Sequence, residues 1–236
     1  MNRCLLSALL GLLAVGFVGI AAATAQDATA SPATVGTIHS PDGRNGISLH
    51  LDSQGTLSYS VTHEARRVIG ASLLGLRRRD QDFRQGLVLA AVDDLETRQE
   101  TYPLRAGIMP MVDQPHRRRR FGFRNAAGTP LTIDLDAGNE GVAFRYGFPD
   151  VQDDVQTILT EVTEFRVGLG AQGWLQPYNN ASHYSPAYED YYFAVKPGDR
   201  PPNSRGGATR GWSLPALFNI ASANAWVLLS ESGTDG

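Results

Sequence analysis

Between Trp174 and Phe193 the sequence gathers Trp174, Tyr178, Tyr184, Tyr188, Tyr191, Tyr192 and Phe193, interleaved with Asn179, Asn180, Glu189 and Asp190. Aromatic faces stack on sugar rings, and amide and carboxylate groups bond sugar hydroxyls, so this composition meets the requirements of a carbohydrate site. The same aromatics would serve equally well to close the edge of a β-sandwich core. Composition alone leaves both readings open. Elsewhere the familiar reactive constellations are missing: there is no Gly-x-Ser-x-Gly elbow, phosphate-binding loop, His-Glu-x-x-His or Cys-x-x-Cys. His183 has Ser182 and Ser185 beside it, but adjacency without an orienting carboxylate does not make a triad.

The run His116-Arg-Arg-Arg-Arg120 invites a reading as an anion site. On a strand, however, successive side chains point to opposite faces, so the four arginines divide between two faces. An anion site needs convergent charge. The run is therefore read as an edge or solvent-facing strand kept from aggregating by its charge.

The elements that would position the aromatic stretch are all strands. Ile47, Leu49 and Leu51 alternate with polar residues, and Leu57, Tyr59 and Val61 do the same after a turn containing Gly55, which marks a β-hairpin. The period-2 pattern recurs at Leu131 to Leu135, Val142 to Tyr146, and Val162 to Val167. Leu87 to Val92 and Trp226 to Leu229 are continuous apolar runs, expected as strands buried on both faces. Gly- and Asp-rich turns separate the runs, and no helical period is sustained after the N-terminal segment. The expected class is all-β, a sandwich. Residues 168–190 and 196–211 are expected as long loops, where binding groups usually sit.

Residues 1–25 read as a signal peptide: Arg3, an apolar run from Leu5 to Ile20, and small residues at Ala23-Thr-Ala25. The run has no basic stop-transfer flank, so no stable membrane anchor is expected. Cleavage near Ala25 implies a periplasmic or extracellular protein. It also removes Cys4, the sole cysteine, so the exported chain has no disulfide and relies on its packed core. Residues 26–36 form a flexible leader. Loss of Arg3 leaves 20 basic residues against 24 acidic, which argues against nucleic acid as a partner.

Taken in order, Ser40-Pro-Asp-Gly43, Leu57-Ser-Tyr59, Val68-Ile69, Ser72-Leu-Leu-Gly-Leu76, Gly141-Val-Ala-Phe-Arg-Tyr146, Glu161-Val-Thr-Glu-Phe165, Trp174 and Tyr188-Glu189 resemble the N-terminal domain of glycoside hydrolase family 97. This group contains bacterial α-glucosidases and α-galactosidases. The resemblance runs from residue 37 to 236. It implies a β-supersandwich of the galactose-mutarotase-like type, in agreement with the strand pattern.

The resemblance further implies a domain that forms one wall of the carbohydrate site, with α-linked glucosides or galactosides as ligands. Family members continue into a (β/α)8 barrel, whose two carboxylates carry the catalysis. No βα repeat occurs here, so the catalytic barrel is a partner in cis or in trans. No catalytic residue is assigned on this chain, and the chain alone is expected to be inactive. Trp174, Asn179 and Tyr188 are the expected carbohydrate-binding residues. Glu189 is the expected ligand to a calcium ion completed by the barrel. Two other readings stand beside this one: a stand-alone carbohydrate-binding module using the aromatic stretch, and a structural β domain of the cell envelope.

Overall fold

The computed structural model describes residues 31–104, 111–151, 155–168, 170–178, 191–201 and 211–231. Asn179, Tyr188 and Glu189 lie outside the described residues, as does the first part of the expected flexible leader (26–36). Its last residues, from Ala33, are instead the start of a strand that pairs with residues 45–51. Among those described, no helix is long and apolar enough to cross a membrane.

The chain folds into antiparallel sheets, as the alternating patterns predict. β1 (Ala33–His39), β2 (Asn45–Leu51), β3 (Leu57–His63) and β4 (Arg66–Leu74) form a sequential meander, the first sheet. The β2–β3 hairpin pairs Leu51 with Leu57. Its turn is held by the Asp52 carboxylate, which accepts the N–H groups of Gln54 and Thr56, both at 2.8 Å. Gly55 takes the left-handed conformation there, φ +71°.

β5 (Leu76–Arg78) then leads to β6 (Val88–Val92), β7 (Glu96–Pro103), β8 (Met111–Arg124), β9 (Pro130–Gly138) and β10 (Gly141–Gly147). The second sheet runs β10-β9-β8-β6, with β7 also on β8. β5 pairs with β11 (Ile158–Glu161). The third sheet has the order β13 (Phe193–Val195), β12 (Gln172–Pro177), β14 (Trp212–Ile220) and β15 (Ala225–Leu229). A single 3-10 turn, Ala221–Ala223, links β14 to β15.

The main core lies between the first and second sheets. Ile47, Leu49, Leu57 and Tyr59 face Phe121, Phe123, Leu131, Ile133 and Leu135, all of them buried. A smaller core joins the inner face of the third sheet (Leu175, Phe218, Ile220) to Val68 of β4. Val68 is the extra residue of a bulge, because β3 pairs Val61 with Ile69 and Thr62 with Arg67. Val68 joins the second core and Ile69 the first.

Four local expectations are corrected. Val88–Val92 is exposed on both faces, with Val88 66% accessible, because β6 takes an outer position in its sheet. Trp226 and Leu228 are exposed while Val227 and Leu229 are partly buried, so β15 is covered on one face only. The arginine run lies on β8, flanked by β7 on one side and β9 on the other, and is not an edge. Its side chains do divide as expected: Arg118 and Arg120 pair with Asp136 and Asp134, while Arg117 and Arg119 stand opposite Ala137 and Leu135.

The fourth concerns residues 162–167, which form no strand. They follow β4 through discrete bonds, in which Val162 and Glu164 donate N–H to the carbonyls of Gly75 and Leu73. Gly70 donates to Arg166 O, and Arg166 N–H goes to the Ser72 hydroxyl, a side chain standing in for a backbone partner. Phe165, at the end of the Glu161–Phe165 motif, is 42% exposed.

Candidate functional site

Trp174 stands on β12 with its ring on the outer face of the third sheet. Register places it beside Leu217 of β14, and Leu217 beside Leu228 of β15; two residues along, Asn219 lies beside Trp226. The indoles of Trp174 and Trp226 meet above β14 with centroids 5.2 Å apart and planes inclined by 32°. Offset packing of this kind is favourable between aromatic rings. Trp226 remains 60% exposed, so the pair offers a flat indole surface to solvent. Gln172, on the same face, is fixed by donating its amide to Val195 O at 2.9 Å.

Further exposed aromatics flank β12 and β13, with Phe193 paired with Leu175 and therefore on the other face from Trp174. Tyr178 follows β12, and Tyr191, Tyr192 and Phe193 lead into β13; all four are exposed, Tyr191 by 85%. These four do not close the sandwich core. Of the sequence-predicted site residues the structure thus describes Trp174 alone, and it supplies a partner, Trp226, that sequence reasoning missed. Trp226 was read as part of a buried run, and only the pairing of β14 with β15 shows that it shares a face with Trp174.

A second concavity of about 430 Å³ opens between the first sheet, β10 and β15. Tyr59, Phe144 and Phe165 contribute rings, and Asn45, His63 and Glu140 contribute polar groups. Most of these polar groups are already engaged. The Tyr59 hydroxyl donates to Glu164 O at 2.8 Å, and Asn45 donates to the carbonyls of Gly138 and Asn139. His63 Nδ1 shares a 2.7 Å hydrogen bond with Asn45 Oδ1. Burial raises the Tyr59 phenol well above its ordinary range. Burial likewise pushes Tyr146 up to about 12, against the hydrogen bond with Thr163 and the N–H of Gly75. Both phenols therefore stay neutral and act as hydrogen-bonding struts.

One buried charge stands out. Arg78, 1% exposed, donates to both oxygens of Asp80 and both of Asp150, at 2.7–3.2 Å. Its guanidinium also lies 5.2 Å from the Phe148 ring centroid and 5.8 Å from that of Phe83. The hydrogen bonds to Asp80, then those to Asp150, raise the guanidinium further above its ordinary value, and the Asp80 carboxyl is correspondingly lowered. All three guanidinium nitrogens are engaged, through four of the five N–H groups, which makes this a structural clamp between β5 and the turn after β10 rather than a reactive group.

No group of three or more His, Cys, Asp or Glu side chains among the described residues is placed to hold a metal ion. Calcium takes six to eight oxygens. The described residues therefore do not make a calcium site on their own.

The model of the glycosyl-hydrolase 97 N-terminal family matches residues 38–236. The chain belongs to this family. Across 228 residues the GH97 N-terminal domain described here is 31% identical to a probable retaining α-galactosidase of Streptomyces bingchenggensis (strain BCW-1), covering 95% of this chain and 32% of that protein. The fold is that of solved structures at 24% identity. One is a β-arabinopyranosidase, with a TM-score of 0.73 over 85% of this chain and 32% of that one. Another is a family 97 enzyme of Pseudoalteromonas sp. strain K8 in complex with panose, with a TM-score of 0.63 over 78% of this chain and 27% of that one. The same enzyme is also known in complex with acarbose. This GH97 domain spans about a third of the length of the relatives it matches.

Proposed function

We propose that this domain forms one wall of the carbohydrate site of a glycoside hydrolase acting on α-linked glucosides or galactosides, with the catalytic barrel supplied in cis or in trans. The single observation that carries the reading is the solvent-facing Trp174–Trp226 pair, on a domain of a family whose members are glycoside hydrolases. An indole surface binds the apolar face of a pyranose, while neighbouring amides orient its hydroxyls. Asn179 and Tyr188 are proposed as those polar and aromatic neighbours. Glu189 is proposed as one carboxylate ligand of a calcium ion whose other oxygens come from the barrel. The protein is proposed to be exported, with its leader removed near Ala25.

The test is a titration of the chain with panose and with melibiose, read by tryptophan fluorescence and by release of monosaccharide. The expected result is saturable quenching by at least one sugar, abolished in Trp174→Ala, with no release of glucose or galactose. Absence of quenching at every sugar concentration would remove the wall reading. Hydrolysis by the chain alone would overturn the assignment of catalysis to the barrel. A stand-alone binding module is the second reading, favoured by the accessibility of Trp226. It requires a Kd unchanged when the barrel is joined, whereas a wall binds more tightly with the barrel present.

A further inference from the structure

Two sheets stop at opposite sides of one cleft. Among the described residues β10 pairs only with β9, and β15 only with β14, so each is the last strand of its sheet. Gly141, Val142 and Phe144 of β10 and residues 225–229 of β15 line the same concavity of about 430 Å³. Its floor is the inner face of the first sheet: Ile47, Tyr59, Val61 and Ile69. Val61, Val227 and Leu229 pack against both hydrophobic cores, so the second and third sheets lie side by side across the first. They are two parts of one layer with an opening between them.

The chemistry of the opening selects its occupant. An unpaired strand edge presents a row of N–H and C=O groups that seek backbone partners. The floor offers apolar side chains, and the Tyr59 hydroxyl and the Asn45–His63 pair are already engaged, so the floor matches apolar side chains better than sugar hydroxyls. An extended peptide satisfies both walls and floor: its backbone pairs sideways, about 4.8 Å from each neighbour, and alternate side chains point down. The family relatives carry roughly two thirds of their length outside the part matched by this chain, ample to supply such a segment.

We propose that the cleft between β10 and β15 receives an extended polypeptide strand with alternating apolar residues, which pairs with both open edges and joins the second and third sheets into one. The strand comes from the longer protein of which domains of this family form part. Its arrival covers Phe144, Phe165 and the floor around Tyr59.

The experiment attaches to the C-terminus of the chain a short Gly/Ser linker followed by Thr-Val-Thr-Val-Thr-Val-Thr, held at an effective concentration of about millimolar by the linker. A matched version replaces the central Val with Pro, which lacks the N–H. Amide hydrogen exchange is followed with the species kept monomeric, as checked by sedimentation. Exchange should slow by about tenfold (~1.4 kcal/mol) in both 141–147 and 225–229, with the Val/Thr strand only. The open edge at Glu96–Pro103 should be unaffected. Protection of β15 alone, or of the Glu96–Pro103 edge instead, overturns the bridging strand. Concentration-dependent protection of both edges in the unextended chain assigns the cleft to a second copy and overturns it too. Protection by free panose but not by the strand assigns it to a small ligand, with the same consequence. Equal exchange in all species also overturns it.

Discussion

The Tyr59 hydroxyl donates a 2.8 Å hydrogen bond to the carbonyl of Glu164, tying the centre of the first sheet to the segment that leads toward the third. Glu164 in turn bonds Arg166 and the Leu73 N–H, and the ion pair with Arg166 holds its carboxyl below the ordinary range. The Glu161–Phe165 stretch is therefore fastened along β4 by a few backbone bonds and tyrosine struts rather than by a regular ladder. Tyr59→Phe removes one buried partner and should lower unfolding free energy by about 1 kcal/mol, with an unchanged m-value in urea.

Arg78 carries the larger burden. Arg78→Ala leaves two carboxylates facing each other without their cation and opens space between Phe83 and Phe148. A loss of about 3 kcal/mol is expected. Arg78→Met keeps the packing on the rings and should lose less. Equal losses for the two variants would show that charge alone matters at this position.

Gly55 combines a left-handed conformation with a close neighbour. An added Cβ would fall on the backbone nitrogen of Leu87, which itself donates N–H to Gly55 O at 3.0 Å. Gly55→Ala should destabilise the domain by about 1–3 kcal/mol in thermal or urea melts. Gly128→Ala, at φ +81° with open space around it, should cost only the conformational part.

Stability should fall as pH is lowered through the histidine range. His50 has a folded-state value below its ordinary 6.5, first because of burial and then because of the Arg67 charge. The unfolded chain therefore binds the proton more readily. The contribution is fully present above pH 6.5 and is lost as pH falls through the folded value. Midpoints of urea unfolding between pH 8 and pH 5 measure this directly, and His50→Gln should flatten the slope across that window.

Trp226→Ala removes half of the exposed indole pair. Because that side chain is largely in solvent, the cost in stability should stay below about 1 kcal/mol. Sugar-induced quenching should nevertheless disappear. A variant that melts normally and still binds panose or melibiose would separate the indole pair from carbohydrate recognition.

The all-β class and the β2–β3 hairpin were legible because their signals are local. Asp52 and Gly55, or Asn125 with its carboxamide bonded to the N–H groups of Ala127 and Thr129, write a turn into a few residues. Apolar runs were less informative. Val88–Val92 and Trp226–Leu229 look alike on paper, but how many faces are covered depends on each strand's place in its sheet, which is set by residues far along the chain. The Arg78 clamp was invisible for the same reason, since its burial requires Asp150 and Phe148. The family, by contrast, could be read from ordered short motifs, and the aromatic surroundings of Trp174 singled it out as a candidate. Its partner Trp226 could not, because only β14 brings the two together.

The order of the sheets along the chain has a consequence for biosynthesis. The first four strands form a local meander complete by Leu74, so they can pair soon after synthesis. The residues that cover Ile47, Leu49 and Leu57 sit between Phe121 and Leu135. Until that later stretch emerges, a finished sheet exposes its greasiest face to its surroundings. A nascent chain in this state is a natural client for a holding chaperone, and slowing translation between Leu74 and Phe121 should increase its aggregation.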